Sequence, residues 1–451
     1  MTTPGTTHSL APGLSRARLG VSIIFFTNGI VLGGFAPRIP EIRDSLELSY
    51  GGLGFAVAMW PVGSLLLGLA AATLIRRFRS SRVSTVGMAL SSLGMLAAGM
   101  AGSPLWFGAA LFIVGATDAW VDVAQNSHGL RVQRRYKRSI LNSFHALWSI
   151  GAVTGGLVGG VAAGAGLSVP WQFGVVAVFV IAANIVAYPM LLKGNEPIHS
   201  SEEDAATLAG AGTGSEPGFD AGSGTGSEPG FDASAGLDTS SDTTSAGAGS
   251  AAVARPTPLS AVSTRTWALL AALSVIAIAG GWAEDAASTW SASYLRDELF
   301  AGATLAALAF VSMQGFQFVG RILGDRMVDR WGQRTIARWG GVMVAVGMGI
   351  ALAFPSAWGT IAGFGVAGFG VATLIPGAMH AADELPGLRS GTGLTVLSWL
   401  MRLAFLFSPP VVGAIADATS LRVGLGLVPV MGALVIVLSG AMSPRKEAVT
   451  S

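Results

Sequence analysis

Cysteine is absent from the 451 residues, which excludes disulfides, thiolate metal sites and cysteine nucleophiles and leaves the redox compartment undetermined. Charge is scarce. Asp, Glu, Lys and Arg make up 12% of the chain, against about 25% in an ordinary soluble domain, so the composition argues against a soluble globular enzyme. The 27 basic and 25 acidic residues leave a formal net charge of +2, too balanced for a nucleic-acid binder. Five histidines are too scattered for a metal cluster, and no H-E-x-x-H, G-x-S-x-G or phosphate-loop pattern occurs. No metal, cofactor, nucleic-acid partner or enzymatic activity is expected.

Apolar residues are what the chain has in excess: 51% of it is hydrophobic, with 63 glycines and a mean hydropathy of +0.60. A helix needs about 20 apolar residues to cross a bilayer, and charge-free runs of that length recur. Leu19 to Pro37 is one and Leu48 to Ile75 a second; Val83 to Thr117 holds a third and most of a fourth, turning at Gly102-Ser103-Pro104. Between Arg138 and Lys193 no charged residue occurs, and a break from Gly166 to Pro170 divides that stretch into spans five and six. Runs resume at Thr266 to Trp290, Leu299 to Gly320, Trp339 to Ala382 (divided at Pro355-Ser356), Gly391 to Val412 and Val423 to Met442.

The expected fold is therefore all-α: a polytopic membrane protein of twelve transmembrane helices in two six-helix bundles, residues 19–193 and 265–442. A tail of residues 1–18 precedes them and another, 443–451, follows. The linker 194–264 is rich in Gly, Ser, Thr, Ala and acidic residues, with GTGSEPGFDA at 212 and again at 224; it has too few large apolar side chains to offset the entropy of ordering and is expected to be disordered. With the amino terminus cytoplasmic, 22 basic residues fall inside, Arg38, Arg43, Arg296 and Arg422 fall outside, and Arg402 lies within a span. That bias places both termini and the linker in the cytoplasm, and the long first run is a retained span rather than a secretory signal.

Two sixes imply duplication, and corresponding stretches match weakly. The second-to-third connection reads Arg77-Phe78-Arg79-Ser80-Ser81-Arg82, the eighth-to-ninth Arg330-Trp331-Gly332-Gln333-Arg334. Here the chain resembles the major facilitator superfamily, whose hallmark after spans two and eight is G-x-x-x-D-R-x-G-x-R. Asp329, Arg330, Gly332 and Arg334 match it, with Asp325 in the first glycine's place and Gly324 one residue early. In the first half Arg76 stands at the expected Asp and Arg79 at the glycine. The resemblance covers all twelve spans and implies a charge latch that changes with conformation; a solvated basic loop is the alternative.

Three stretches are similar to a bacterial branch near the fucose/proton symporters: Asp122 to Asn126 in span four, Ser143 to Gly151 in span five, and Glu284 through Trp290 to Arg296 at the end of span seven. Asp285 and Thr289 depart from that branch's pattern. The resemblance implies a secondary transporter in a bacterial plasma membrane, and the acid four residues before the asparagine, here Asp122, as the proton carrier.

Ionisable groups inside spans point the same way, since each costs on the order of 3 kcal/mol at the bilayer centre. Asp118 and Asp122 are spaced i, i+4 and Asn126 continues the stripe, so all three face one side of span four. Like charges this close, poorly hydrated, favour a group that exchanges protons. Asp122 is the first candidate for proton coupling and Asp118, nearer the middle of the span, the second; a structural bridge to Arg131 or Arg402 is the alternative. Glu284, a further candidate for proton coupling, and Asp285 lie roughly 27 Å along span seven and are expected near the outer mouth. Arg402 is too deep to snorkel and needs a partner, either an anionic substrate group or one of the two aspartates.

Substrate contacts are expected from Asn28, Asn126, Trp148, Gln314, Gln317, Trp399 and Arg402; amides and indoles hydrogen-bond hydroxyls and tryptophan faces stack on sugar rings. His145 is either a satisfied helix-start histidine or a proton relay. Gly151 to Gly160 nearly reproduces the superfamily's antiporter motif, with Gly156 in place of its proline. Proton-coupled symport of a small, sugar-like polar solute is expected, with proton-coupled export of a drug or metabolite and a non-transporting membrane sensor as alternatives. The expected partners are the solute, protons and the lipid bilayer, and the expected state is a monomer.

Overall fold

The computed structural model describes residues 12–136, 140–194, 263–388 and 391–442. The expected disorder of the linker falls on residues outside these. Among the described residues every regular element is helical. The spans are α1 (Pro12–Phe35), α2 (Tyr50–Gly68, continued by Ala71–Phe78), α3 (Ser80–Gly99), α4 (Pro104–Tyr136), α5 (Leu141–Gly164) and α6 (Val169–Ala187), then α7 (Thr264–Asp297), α8 (Ala303–Trp331), α9 (Gln333–Ala353), α10 (Ala357–Val371, continued by Leu374–Asp383), α11 (Thr392–Ala418) and α12 (Leu421–Leu425, continued by Leu427–Leu438).

Eleven of these segments are long and apolar enough to cross a membrane. The twelfth, α3, is 20 residues long and its serines lower its hydropathy. Those serines turn inward: Ser84, Ser91 and Ser92 are buried, and Ser91 donates to the Thr117 hydroxyl of α4 at 2.8 Å, so a polar face is hidden between helices rather than shown to lipid. Helix boundaries fall where the expected breaks lie. Pro104 begins α4, and Ser356 caps α10 by accepting from the Gly359 amide at 3.1 Å, which satisfies an otherwise orphaned donor.

Each half packs in the same way. In the first, α1 lies on α5, α2 on α4 and α3 on α4 and α6; in the second, α7 lies on α11, α8 on α10 and α9 on α10 and α12. The halves meet along two seams, α2 with α11 and α5 with α8, which exchange when the halves exchange. Within the first half, α1 and α5 approach so closely that a Cβ on Gly33 would lie 2.0 Å from the Ala152 carbonyl oxygen; only glycine fits. The glycines of α5 serve two faces, Gly151 and Gly155 against α1, Gly156 and Gly160 against α8. That packing accounts for the near-antiporter motif by itself.

The two hallmark turns are superimposable. Arg79 after α2 has φ 75°, ψ 147°, and Gly332 after α8 has φ 80°, ψ 150°; each amide reaches back four residues at 2.7 Å. This region of backbone space is nearly glycine-only and costs a side-chain residue about 1–3 kcal/mol. The first-half copy has lost its glycine and kept its turn. Arg79→Gly is therefore expected to raise the melting temperature of the purified protein by about 2 °C, measured by thermal unfolding in detergent.

Candidate functional site

The sites expected in spans one, four and five converge on one layer halfway along the helices. On α4, Asp118 and Asp122 are about 6 Å apart along the axis, and neither carboxylate is fully buried. Each is held by an asparagine that in turn accepts from a ring N–H of α5. The Trp148 indole donates to Asn28 Oδ1 at 2.7 Å, and Asn28 Nδ2 donates to Asp118 Oδ1 at 2.8 Å. One turn on, Asn126 Nδ2 donates to Asp122 Oδ1 at 3.0 Å, which turns Asn126 Oδ1 toward His145 Nε2 at 3.1 Å. With the amide oriented this way, His145 Nε2 carries the hydrogen. Gln125 Nε2 lies 3.4 Å from Asp122, and His145 packs edge-on against Phe25.

Asn28 and Asn126, expected to meet substrate, thus have polar atoms engaged with the carboxylates, and the Trp148 indole N–H is engaged with Asn28. Arg402 on α11 acts electrostatically on Asp122 across the seam, and Arg321 on α8 acts on His145. Arg321 was not among the expected site residues because the charge-free run ends at Gly320, whereas α8 continues to Trp331; the apolar Ile322 and Leu323 beyond it were the available signal.

In the second half, Gln317 Nε2 donates to Glu284 Oε2 at 3.1 Å. This corrects the placement of Glu284 at the outer mouth: α7 runs to Asp297, so about 20 Å of helix lies beyond Glu284. Asp285 accepts from Ser408 at 2.7 Å and from Thr289 at 3.3 Å. Gln314 and Gln317 are buried, and both polar atoms of the Gln314 amide and the Gln317 Oε1 have no hydrogen-bond partner among the described residues. Open donors and acceptors at mid-depth are what a hydroxylated ligand would fill. Trp399 is 46% exposed, on a stripe with Leu403 and Phe407. Among the described residues no cluster suited to a metal occurs.

Ion pairs join the halves at one end, the end of the α1–α2 and α7–α8 connections. Arg43 reaches Asp297 at 2.6 Å, Arg296 pairs with Asp44, and the Tyr50 hydroxyl donates to Asp297 at 3.1 Å. Asp417, at the end of α11, accepts from the Tyr50 and Gly51 amides, each at 2.8 Å, so a carboxylate of one half caps the helix N-terminus of the other. At the opposite end, among the described residues, no ion pair joins the halves. Of the hallmark residues there, Arg334 donates to the carbonyls of Gly440 and Met442 at the end of α12, Arg330 lies over the Trp331 ring, and Asp329 makes no ion pair among the described residues. The charge latch implied for that motif is not engaged in this conformation.

Twelve long helices in two equivalent halves, with polar groups gathered at mid-depth between them, are the architecture of a membrane transporter. Residues 21–324 and 283–451 match the Major Facilitator Superfamily, and the chain belongs to it. It is 25% identical to the "uncharacterized transporter y4wD" of Sinorhizobium fredii over 93% of this chain and 96% of that one. To the "membrane protein MosC" of Rhizobium meliloti it is 24% identical over 94% and 89%. Among solved structures, the nucleoside transporter NupG superposes with a TM-score of 0.66 at 12% identity, covering 95% of this chain and all of that one. A bacterial homologue of the lysosomal transporter Spinster, inward-facing and unoccupied, gives 0.64 at 13%, covering 96% and 98%. At such identities these two show the shared fold.

Proposed function

We propose that the protein is a proton-coupled symporter of a small, sugar-like polar solute, working as a monomer in a bacterial plasma membrane with both termini cytoplasmic. The observation that carries this is the doubled relay on α4, in which Asp118 and Asp122 each end a chain of ring N–H and asparagine amide. A carboxylate at this depth needs a reason, and uptake and release of protons by an acid held in place through Asn126 and His145 is a fitting one. Asp122 is the coupling acid, because Arg402 of the other half faces it and a proton there changes an attraction across the seam. The likeness to the fucose/proton symporters supports the same residue.

In this orientation the ion-paired end is extracytoplasmic, and the conformation is closed outward. The solute binds against Gln314 and Gln317, whose free amide atoms match hydroxyls that both donate and accept. Asn28 and Asn126 hold the carboxylates, Trp148 holds Asn28, and the three meet the solute only when a proton releases them.

Reconstituted into proteoliposomes with an imposed inward proton gradient, the protein is expected to accumulate at least one member of a panel of neutral polyols and sugars. Accumulation should collapse with a protonophore. A gradient that instead drives solute out establishes the exporter, and a gradient that drives no solute flux across the panel favours the sensor.

A further inference from the structure

The relays on α4 leave both mid-span acids of the second half, Glu284 and Asp285, without a role. We propose that Asp285 is a second proton-binding site, through which protonation bends α11 at its proline pair and loosens the seam between the halves; this rests on the proton-coupled reading above.

Among the described residues, Asp285 is the only one of the four mid-span acids bonded to hydroxyls. Ser408 of α11 and Thr289 of its own helix both donate to it, and a hydroxyl serves either protonation state, donating to a carboxylate and accepting from a carboxylic acid. The charged neighbour that acts on it is Glu284 on the same helix, which takes the Gln317 amide of α8. Arg402, on α11, acts on Asp122. On the other elements packed against α7, Arg321 of α8 acts on His145, and the remaining charge lies toward helix ends: Asp325, Arg326, Asp329 and Arg330 on α8, His380, Asp383 and Glu384 at the end of α10, Asp417 at the end of α11, Arg422 at the start of α12, Arg38 in the turn Ala36–Arg38, and Glu41, Arg43 and Asp44 in the short helix Ile39–Ser45.

Ser408 immediately precedes Pro409 and Pro410 inside α11. Neither proline has an N–H, so the carbonyls of Phe405 and Leu406 lose their helical donors. While Asp285 is ionised, the Ser408 hydrogen is committed to it. When Asp285 Oδ2 takes up a proton from water, the new O–H donates to Ser408 Oγ, and the serine hydrogen turns back to a carbonyl of its own preceding turn. Such a bond bends a helix. One H⁺ is taken up and no other bond to hydrogen is broken.

The bend falls on the seam. A Cβ on Gly54 of α2 would lie 2.4 Å from the Pro409 carbonyl oxygen, and one on Gly413 2.4 Å from that of Tyr50. Tyr50 in turn carries the amide that Asp417 caps and the hydroxyl that Asp297 receives. A change of bend at Pro409 therefore moves contacts that continue into the ion-paired end.

The cysteine-free chain permits a clean double spin-label pair, Ala165→Cys after α5 and Gly302→Cys before α8, measured in nanodiscs between about pH 5 and 8. Asp118→Asn and Asp122→Asn are introduced together to silence α4. In this background the ratio of near to far populations is expected to change about fivefold across the range. Adding Asp285→Asn, or Ser408→Ala, should flatten it to within about 1.5-fold of constant. Ser408→Thr, which keeps the hydroxyl, should restore it. A response that survives Asp285→Asn and Ser408→Ala overturns the proposal, and one that has already vanished with the α4 changes overturns it in favour of the α4 acids. Undiminished accumulation in Asp122→Asn alone would instead overturn Asp122 as the coupling acid and move that role to Asp118, while a wild-type protein that accumulates no solute under a proton gradient would overturn the proton-coupled reading.

Discussion

Asp122→Asn is expected to abolish proton-driven accumulation while leaving exchange intact. One pH unit across the membrane is worth about 1.4 kcal/mol, a tenfold concentration ratio per proton. Wild-type vesicles under such a gradient should therefore approach about tenfold accumulation and the variant about onefold. Counterflow needs no net proton movement, and the carboxamide retains an oxygen for Asn126 Nδ2 to donate to, so labelled-solute exchange should persist within about threefold of wild type. Equal loss of both activities would mean that the side chain holds the structure. Unchanged accumulation would move the coupling role to Asp118, whose relay through Asn28 and Trp148 is built on the same plan.

Removing the ion pairs at the closed end has the second large consequence. The side chains of Arg43 and Asp297 are 15% and 16% exposed, well below the exposure at which surface pairs contribute little, and Asp297 also receives the Tyr50 hydroxyl. Asp297→Ala leaves Arg43 and Tyr50 without that acceptor and is expected to cost the closed state about 2 kcal/mol, shifting the ratio of open to closed by about 30-fold. Spin-label distances across the α5–α8 seam would read this directly. Glu298→Ala serves as the control, because Glu298 meets the Arg422 amide within one half and should leave the ratio unchanged. If both variants shift it alike, the effect is loss of local structure rather than of the latch.

The helices themselves were legible residue by residue. Breaks at Gly102-Ser103-Pro104 and Pro355-Ser356 became the starts of α4 and α10, since proline and a capping serine act within one turn. Helix ends were legible only where a local breaker sets them. Where a span ends in charge, as at Arg296 and Asp297, the end lies wherever those charges find partners, and these are Asp44 and Arg43, some 250 positions away. For that reason α7 was read short and Glu284 too shallow. The hallmark loop shows a related limit: Arg79 hid the turn from a residue-by-residue comparison, yet its backbone follows Gly332.

Composition and run length by themselves determined that this chain is an all-helical protein of many membrane-spanning segments, because hydrocarbon thickness and the cost of unpaired backbone act on each segment separately. They also placed two acids on one face of α4, since helical periodicity is local. Which group holds which was decided by tertiary structure alone. Asn28 meets Asp118 across 90 positions and Trp148 meets Asn28 across 120, and Ser408 finds Asp285 across 123, for a hydrogen bond depends on distances that helix packing sets and spacing along the chain does not.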